Sequence, residues 1–260
     1  MMKAEFFKKY RFMTCVLAGI MLAAMIFGFS DASTIAVSSA KRDLPIYCVD
    51  REQKVVSLTF DAAWGNEDTQ TLIDILGKYN IKATFFVVGD WVDKYPESVK
   101  ALSDAGHEIM NHSNKHPYMT KLSEKQMIDE INACNDKIEA ITGVRPILFR
   151  PPYGDYNDAV VSTLRNIGMY TIQWDVDSLD WKNLGSDNVR ERVISKVKPG
   201  SIVLFHNAAV DTPPALPGII EELIRQGYSF AKVSELIYTE DYTIDHTGKQ
   251  IKNVDNGERQ

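Results

Sequence analysis

A short apolar run that begins at Val55 ends in the sequence Ser57-Leu58-Thr59-Phe60-Asp61, so that a carboxylate follows the last apolar residue. Four later segments place polar, chemically competent side chains in the same way, at or just beyond an apolar, strand-like run. They are His112-Ser113-Asn114-Lys115-His116, Arg150-Pro151-Pro152-Tyr153-Gly154, Asp177-Ser178-Leu179-Asp180-Trp181 and Leu204-Phe205-His206. A barrel of parallel strands would gather such side chains on one rim. The five segments therefore predict one functional site built from strand ends.

Strand-like and helix-like stretches alternate from Val55 onward. Ser123-Glu124-Lys125-Gln126 is a capping box, which predicts a helix that starts there and ends at Gly143. Periodicity predicts further strands at 83–88, 148–150, 170–174 and 201–205, and further helices at 69–79, 97–105, 158–166, 188–197 and 217–226. Such alternation implies parallel pairing through right-handed crossovers. The fold is therefore α/β, either an open doubly wound sheet or a closed barrel, and polar residues at many strand ends favour the barrel.

The five segments together resemble those of the polysaccharide deacetylase superfamily, the carbohydrate esterase family 4 enzymes, over roughly Val55 to Ile237. The resemblance implies a distorted (β/α) barrel with fewer than eight parallel strands. It also implies hydrolytic N-deacetylation of an N-acetylated cell-wall polysaccharide, peptidoglycan first of all, as in the sporulation and cell-wall deacetylases of spore-forming bacteria. Chitin-like oligosaccharides or acetyl esters are alternative substrates, and a carbohydrate-binding homologue without catalysis is the alternative outside enzymes.

Removal of an N-acetyl group needs a nucleophilic water, stabilisation of an oxyanion and an acid for the departing amine. The resemblance assigns the base to Asp61 and gives Arg150 the role of holding that carboxylate ionised and oriented. Pro151-Pro152 bars helix, so the Arg150 side chain leaves its strand in a defined direction. His206 is the expected general acid, and by the resemblance Asp180 is the carboxylate beside it.

Four residues are predicted to meet the substrate. Tyr153 is a candidate oxyanion donor through its backbone N–H, and its ring is placed to meet a sugar. By the resemblance, Trp181 and Leu204 wall the pocket for the acetyl methyl group. Trp64 lies in the loop that holds Asp61, and its aromatic face suits the apolar face of a pyranose ring.

His112 and His116 are the predicted metal ligands. Because Pro117 disfavours the α region for the residue before it, the pair is expected on a loop. The family pattern continues its first Asp with a second Asp that holds the metal, whereas this chain has Ala62. The missing carboxylate predicts weaker binding of a divalent metal ion, and zinc is the ion that a site with two imidazoles favours.

The composition limits the function classes. The chain has 260 residues, 45% of them apolar, and a net charge of -6 at pH 7. This length suits one catalytic domain, expected at residues 42–238. An acidic chain without a clustered basic face excludes a nucleic-acid partner.

The two ends of the chain are expected to lie outside that domain. Basic residues from Lys3 to Arg11 precede an uncharged apolar run from Phe12 to Phe29. This pattern predicts a membrane anchor or a signal peptide, with a stem up to residue 41, and places the domain on the extracytoplasmic side, anchored or secreted. Residues 239–260 are polar and predict a disordered tail. The sequence leaves open the oligomeric state and whether Cys48 and Cys134 pair.

Overall fold

The computed structural model describes residues 42–253, in which strands alternate with helices along the chain. The strands are β1 (Cys48–Val49), β2 (Val55–Ala62), β3 (Thr84–Val87), β4 (Glu108–Asn111), β5 (Leu148–Phe149), β6 (Tyr170–Thr171), β7 (Val176–Asp177), β8 (Ile202–His206), β9 (Ser229–Phe230), β10 (Tyr242–Ile244) and β11 (Lys249–Lys252). The helices are α1 (Thr69–Lys78), α2 (Gly89–Lys94), α3 (Pro96–Asp104), α4 (Glu124–Thr142), α5 (Asp158–Asn166), α6 (Ser186–Ile194), α7 (Thr212–Arg225) and α8 (Val233–Leu236).

The main sheet is a curled half-barrel with the strand order β6-β5-β4-β3-β2-β8-β7. Every neighbouring pair along this path is parallel, and β9 pairs with β2 beside it. The prediction of an α/β fold with a distorted (β/α) barrel of fewer than eight strands is confirmed. Parallel strands direct their carboxyl ends to one rim, so the predicted site residues meet there.

Side chains alternate along β2, the central strand. Val56, Leu58 and Phe60 belong to the large apolar core that includes the surrounding helices. Thr59 and Asp61 occupy the opposite positions of the strand, and both are buried. This period of two places the polar side chains of β2 on one face of the strand and its apolar side chains on the other.

The predicted capping box is present at the start of α4. Ser123 accepts a hydrogen bond from the backbone N–H of Gln126, and the Gln126 side chain accepts one from the backbone N–H of Ser123. The helix ends at Gly143, which has a positive φ of 72°. Both ends of this helix therefore follow from local sequence.

The prediction of a disordered tail is wrong for Tyr242–Lys252. These residues form β10 and β11, which pair antiparallel, and β11 pairs parallel with β1. A polar strand is stable here because its backbone bonds are shared with β1 and its one fully buried side chain, Gln250, is bonded to the backbone of Tyr238. The polar composition of this stretch led to the wrong prediction of disorder, because strands pair through their backbones and need no apolar side chains to do so.

The predicted anchor or signal peptide and stem, residues 1–41, lie outside the described residues, as do residues 254–260 of the predicted tail. Across residues 42–253, none of the helices has the length and apolar character needed to cross a membrane.

Candidate active site

A cavity of about 680 Å³ opens at the carboxyl ends of β2 and β8. Asp61 and His206 are paired across these two strands in register, and both line the cavity. The other predicted site residues that line it are Trp64, His112, His116, Tyr153, Trp181 and Leu204. The remaining two, Arg150 and Asp180, are fully buried and contact Asp61 and His206 respectively. The structure thus brings all ten predicted residues together.

Arg150 is the largest fully buried side chain and forms an ion pair with Asp61. Its Nη1 donates to Asp61 Oδ1 at 2.7 Å and to Thr59 Oγ1 at 2.9 Å, and its Nη2 donates to the Gln173 carbonyl oxygen at 3.2 Å. The guanidinium also lies over the ring of Phe86, 4.2 Å from the ring centroid. These contacts, which come from several strands, fix the orientation of the Arg150 guanidinium group.

The environment of Asp61 holds it ionised. Burial by itself raises the pKa of this carboxyl, but the charge and hydrogen bond of Arg150, with smaller contributions from the two neighbouring imidazoles, lower the pKa more, so the net shift is downward. Because Oδ1 is taken by Arg150, Oδ2 is the oxygen nearer to His112. An ionised carboxylate in this position is able to accept a proton.

His206 is held by a carboxylate that the chain buries completely. Asp180 Oδ1 accepts from His206 Nδ1 at 2.7 Å and from the Trp181 backbone N–H at 2.9 Å. Its Oδ2 accepts from the His206 backbone N–H at 2.7 Å and from Thr212 Oγ1 at 2.6 Å. Burial lowers the pKa of His206, but the hydrogen bond and charge of Asp180, with the charges of Asp61 and Asp177, raise it above its usual value. With Nδ1 bonded to Asp180, Nε2 is the ring nitrogen left to act on a substrate.

The two other imidazoles are neutral at neutral pH. Burial is the main cause that lowers the pKa of His112, and burial also lowers the pKa of His116 to about 4. His112 Nδ1 lies 2.7 Å from the Arg150 carbonyl oxygen, so in the neutral ring the proton is on Nδ1. His112 Nε2 then presents a lone pair to Asp61 Oδ2 at 3.6 Å. Two acceptors that face each other repel unless a cation lies between them.

The side chains around Asp61 have the chemistry of a metal site but not a complete set of ligands. Within residues 42–253, no three His, Cys, Asp or Glu side chains approach closely enough to be a ready-made set of ligands. The chemistry of the donors nevertheless fits a divalent ion: His112 Nε2 faces a carboxylate, and His116 Nδ1 is buried without a hydrogen-bond partner in the described part of the chain. Neutral imidazoles and a carboxylate are the ligands that zinc takes in catalytic sites.

Ala62 does not contribute to the cavity. Its side chain is 1% exposed and belongs to the outer apolar core, next to Phe60 in the alternation of β2. Its backbone lies in register with Val87, whose carbonyl oxygen accepts from the backbone N–H of His112. The position is therefore level with the imidazoles but filled by a methyl group, which leaves Asp61 as the carboxylate of the site.

Several residues of the cavity wall were given no role from the sequence, which are Ala63, Asp177, Asn183, Asn207, Ala208 and Ala209. Trp174 also lines the cavity and was among the aromatic residues expected either in a sugar-binding groove or in the core. Asn207 is 4% exposed and joins two loops of the site: its Oδ1 accepts from the Ala63 backbone N–H at 3.3 Å, and its Nδ2 donates to the Trp64 carbonyl oxygen at 3.1 Å. The sequence signal that could have identified Asn207 as a site residue is its position directly after His206. Asp177 begins the segment Asp177-Ser178-Leu179-Asp180-Trp181, in which only Asp180 and Trp181 were predicted to have a role.

The chain is similar to known polysaccharide deacetylases. Residues 49–172 match the family model described as polysaccharide deacetylase. The peptidoglycan-N-acetylmuramic acid deacetylase PdaC of Bacillus subtilis is 40% identical over 188 residues, which are 72% of this chain and 40% of PdaC. The peptidoglycan-N-acetylmuramic acid deacetylase PdaA of the same organism is 34% identical over 196 residues, which are 74% of each chain. This chain therefore spans less than half of PdaC.

A solved structure is also similar. The CE4 family pseudoenzyme BA3943 of Bacillus anthracis matches with a TM-score of 0.72 and 38% identity, over 81% of this chain and 70% of that one. A BA3943 mutant described as having restored enzymatic activity matches with the same TM-score and 41% identity, over 74% of this chain and 70% of that one. With 34% identity across 74% of PdaA, this chain belongs to the polysaccharide deacetylase family.

Proposed function

We propose that this chain hydrolyses N-acetyl groups of peptidoglycan. The observation that carries the proposal is the pairing of an ionised Asp61 and a His206 of raised pKa across two neighbouring strands, both in one cavity. PdaC and PdaA, which are named as peptidoglycan-N-acetylmuramic acid deacetylases, support this choice of substrate. Because peptidoglycan lies outside the cytoplasm, the proposal also places the chain there, anchored or exported by residues 1–41. Its role would be in cell-wall growth or in sporulation.

In the proposed reaction, Asp61 accepts a proton from the attacking water while Arg150 holds the carboxylate in place. Tyr153 lines the cavity and would donate its backbone N–H to the oxyanion. His206 then gives a proton from Nε2 to the departing amine, and Asp180 stabilises the charged ring before the transfer. His112 and His116, with Asp61, would hold a divalent ion, zinc first of all, and when bound the ion lowers the pKa of water and polarises the acetyl carbonyl.

A second function also has a specific observation in its favour. Ala62 stands where the family pattern has a carboxylate, and the chain is similar to BA3943, which is described as a pseudoenzyme. A protein that keeps the cavity and its aromatic walls would bind glycan without cleaving the acetyl group. The two functions differ in one product, because only the enzyme releases acetate.

The deciding experiment measures acetate released from defined muropeptides by the purified chain, with and without a chelator and after addition of zinc. We expect acetate from the wild type, a loss of at least about 100-fold in His206→Ala and Asp61→Asn, and a decrease with chelator that zinc reverses. Circular dichroism shows whether each variant is folded. Full turnover in a folded His206→Ala or Asp61→Asn variant would overturn the assigned roles. No acetate from the wild type at any metal concentration, together with binding of the muropeptides, would establish the second function instead.

A further inference from the structure

The loop that carries His116 has a strained backbone. It spans residues 113–116, just beyond strand β4, and its φ is 68° at Ser113 and 58° at His116. A positive φ is unfavourable for a residue with a side chain, so such a backbone persists only where the surrounding contacts hold it. We name residues 113–116 the histidine loop.

The two imidazoles predicted to bind metal are held in different ways. The His112 backbone N–H donates to the Val87 carbonyl oxygen at 3.0 Å, and His112 Nδ1 lies 2.7 Å from the Arg150 carbonyl oxygen, so neighbouring strands fix this residue. His116 Nδ1 is buried without a hydrogen-bond partner in the described part of the chain, and its backbone N–H donates to Ser113 Oγ within the loop. The position of His116 therefore depends on the conformation of the histidine loop.

One carboxylate from helix α4 holds the middle of this loop. Glu130 Oε2 accepts from the backbone N–H of Asn114 at 3.0 Å and from that of Lys115 at 2.9 Å. The N–H groups at the two ends of the loop are bonded to side chains within residues 111–116. Hydrogen bonds to a carboxylate are about twice as strong as those between neutral groups. Of the bonds that the loop N–H groups donate, those to Glu130 are the ones that join the loop to a helix.

Helix α2 holds the opposite side of the loop backbone. The N–H groups of Gly89 and Asp90 donate to the carbonyl oxygens of Ser113 and Asn114, both at 2.9 Å. A Cβ added to Gly89 would overlap Asn114, so the two segments are in close contact. The loop carbonyl groups are thus bonded to α2 and its central N–H groups to Glu130, which leaves the strained backbone no free direction in which to relax.

We propose that Glu130 is a positioning residue for His116: it holds the histidine loop in its strained conformation and so keeps this imidazole in the cavity before a metal ion arrives. The inference rests on the metal site of the proposed function and deepens it. Ligands that are already in place lose less freedom when they bind, and residues that orient a metal ligand typically change metal affinity by about 10–100-fold.

The test titrates the metal-free chain with zinc by calorimetry and compares wild type with three variants of Glu130. We expect Glu130→Ala to weaken zinc binding by at least about tenfold. Glu130→Asp keeps the charge but has a shorter side chain, so it should lose nearly as much, whereas Glu130→Gln keeps an acceptor oxygen at the same reach and should lose less. Glu139→Ala is the matched control, because it removes a carboxylate of the same helix that bonds Arg145 instead of the loop. Its zinc affinity should equal that of the wild type.

Amide hydrogen exchange of the metal-free proteins measures the loop without zinc. In Glu130→Ala, the His116 N–H should exchange at least about tenfold faster, although its own acceptor Ser113 is unchanged, because the loop opens as a unit. The His112 N–H should keep its protection, because its bond to Val87 belongs to the sheet. A role of Glu130 in helix stability alone would change both amides equally or neither.

The outcomes separate this role from the proposed function. Unchanged zinc affinity in a folded Glu130→Ala, the same loss in Glu139→Ala, or equal exchange at His112 and His116 would each overturn it. If Glu130→Ala did not fold, equal zinc affinities in Glu130→Asp and Glu130→Gln would overturn it, and weaker binding in Glu130→Asp would support it. If the wild type bound no zinc, the metal half of the proposed function would fail. Exchange in Glu130→Ala would then decide alone, with faster exchange confined to His116 in favour of the role and unchanged exchange against it.

Discussion

Asp180 shows how a side chain outside the cavity controls one within it. Its carboxylate is completely buried and accepts four hydrogen bonds, two of them from His206 and one from Thr212. A buried carboxylate is tolerated only when its oxygens are bonded in this way. The result is a fixed negative charge against Nδ1 of His206, which keeps the ring protonated to higher pH and turns Nε2 toward the cavity.

The first prediction concerns the pH dependence that follows from this pair. The acid must be protonated to act, and the pKa of His206 is raised, so activity is expected below that pKa and is lost as pH rises through it. Asp180→Asn removes the main raising cause and should move the alkaline limb of the kcat profile to lower pH. Asp177→Asn is the control, because it removes a weaker cause without breaking the bond to Nδ1. An equal or larger shift in Asp177→Asn, or no shift in Asp180→Asn, would contradict the pairing.

At the scale of the element, strand β2 places charge and core on opposite faces. Asp61 reaches the cavity because it is an odd-numbered position of the strand, as are Ser57 and Thr59, whereas Ala62 belongs to the outer core with Phe60. The strand thus delivers one carboxylate to the imidazoles where the family pattern has two. A carboxylate introduced at position 62 would be buried, at the same height along the sheet as His112.

This placement makes a prediction for Ala62→Asp. Without metal, the new carboxylate is buried without a partner, and the variant should be less stable than wild type by about 3 kcal/mol at pH 7. Burial raises the pKa of such a group, so this loss is fully present only above the raised folded-state pKa, shrinks as pH falls from there toward the unfolded pKa of about 3.9, and is absent below it. Zinc should then raise the Tm of Ala62→Asp more than that of wild type, because a second carboxylate joins the imidazoles.

Ala62→Asn is the control, since it has the same shape without the charge. It should lose less stability at pH 7 than Ala62→Asp and gain nothing from zinc. Thermal melts with and without zinc measure all three proteins. A zinc effect on Ala62→Asp no larger than on wild type would mean that the strand keeps position 62 turned away from the imidazoles, and the metal site would then depend on Asp61 alone.

Elements with a clear period were predictable from sequence, and those without one were not. Asp158–Asn166 was predicted with its observed bounds from its helical period, and in the structure the Asn157 side chain caps its first turn. Strand β4 was missed because Glu108 and Asn111 give it no apolar pattern, although Asn111 is buried by bonds to the Ile131 carbonyl oxygen and the Asn135 side chain. Tertiary partners of this kind cannot be read from a local pattern.

The same distinction holds for the candidate site. Residues in the quoted segments, such as Asp61 and His206, were found because reactive side chains at strand ends are visible in the sequence. The bonds of Asn207 to the loop at Trp64 span more than a hundred residues of chain and needed the three-dimensional structure. The roles assigned to the ten predicted residues stay predictions until turnover is measured.

At the scale of the whole molecule, the small sheet ties both ends of the described chain to the half-barrel. Ile46 donates from its backbone N–H to the Thr171 carbonyl oxygen beside β6, and Val49 donates to the Gly200 carbonyl oxygen just before β8. The segment 46–49 therefore bridges the two sides of the curled sheet, and β11 covers its outer edge. Closure of the half-barrel thus depends on chain segments far from the candidate site in sequence.

The last prediction tests this closure at Gly200. Its φ is 81°, and an added Cβ would overlap the carbonyl oxygen of Val49, so Gly200→Ala must displace the bridging segment. We expect a loss of roughly 3 kcal/mol in the free energy of unfolding, from the positive φ and the overlap together. Gly143→Ala is the matched control: its φ is 72° but nothing lies within 4 Å of its added Cβ, so only the backbone cost of about 1 kcal/mol is expected. Urea denaturation of both variants measures the difference. Equal losses would show that the segment 46–49 moves without cost, and the bridge would then contribute nothing to the stability of the half-barrel.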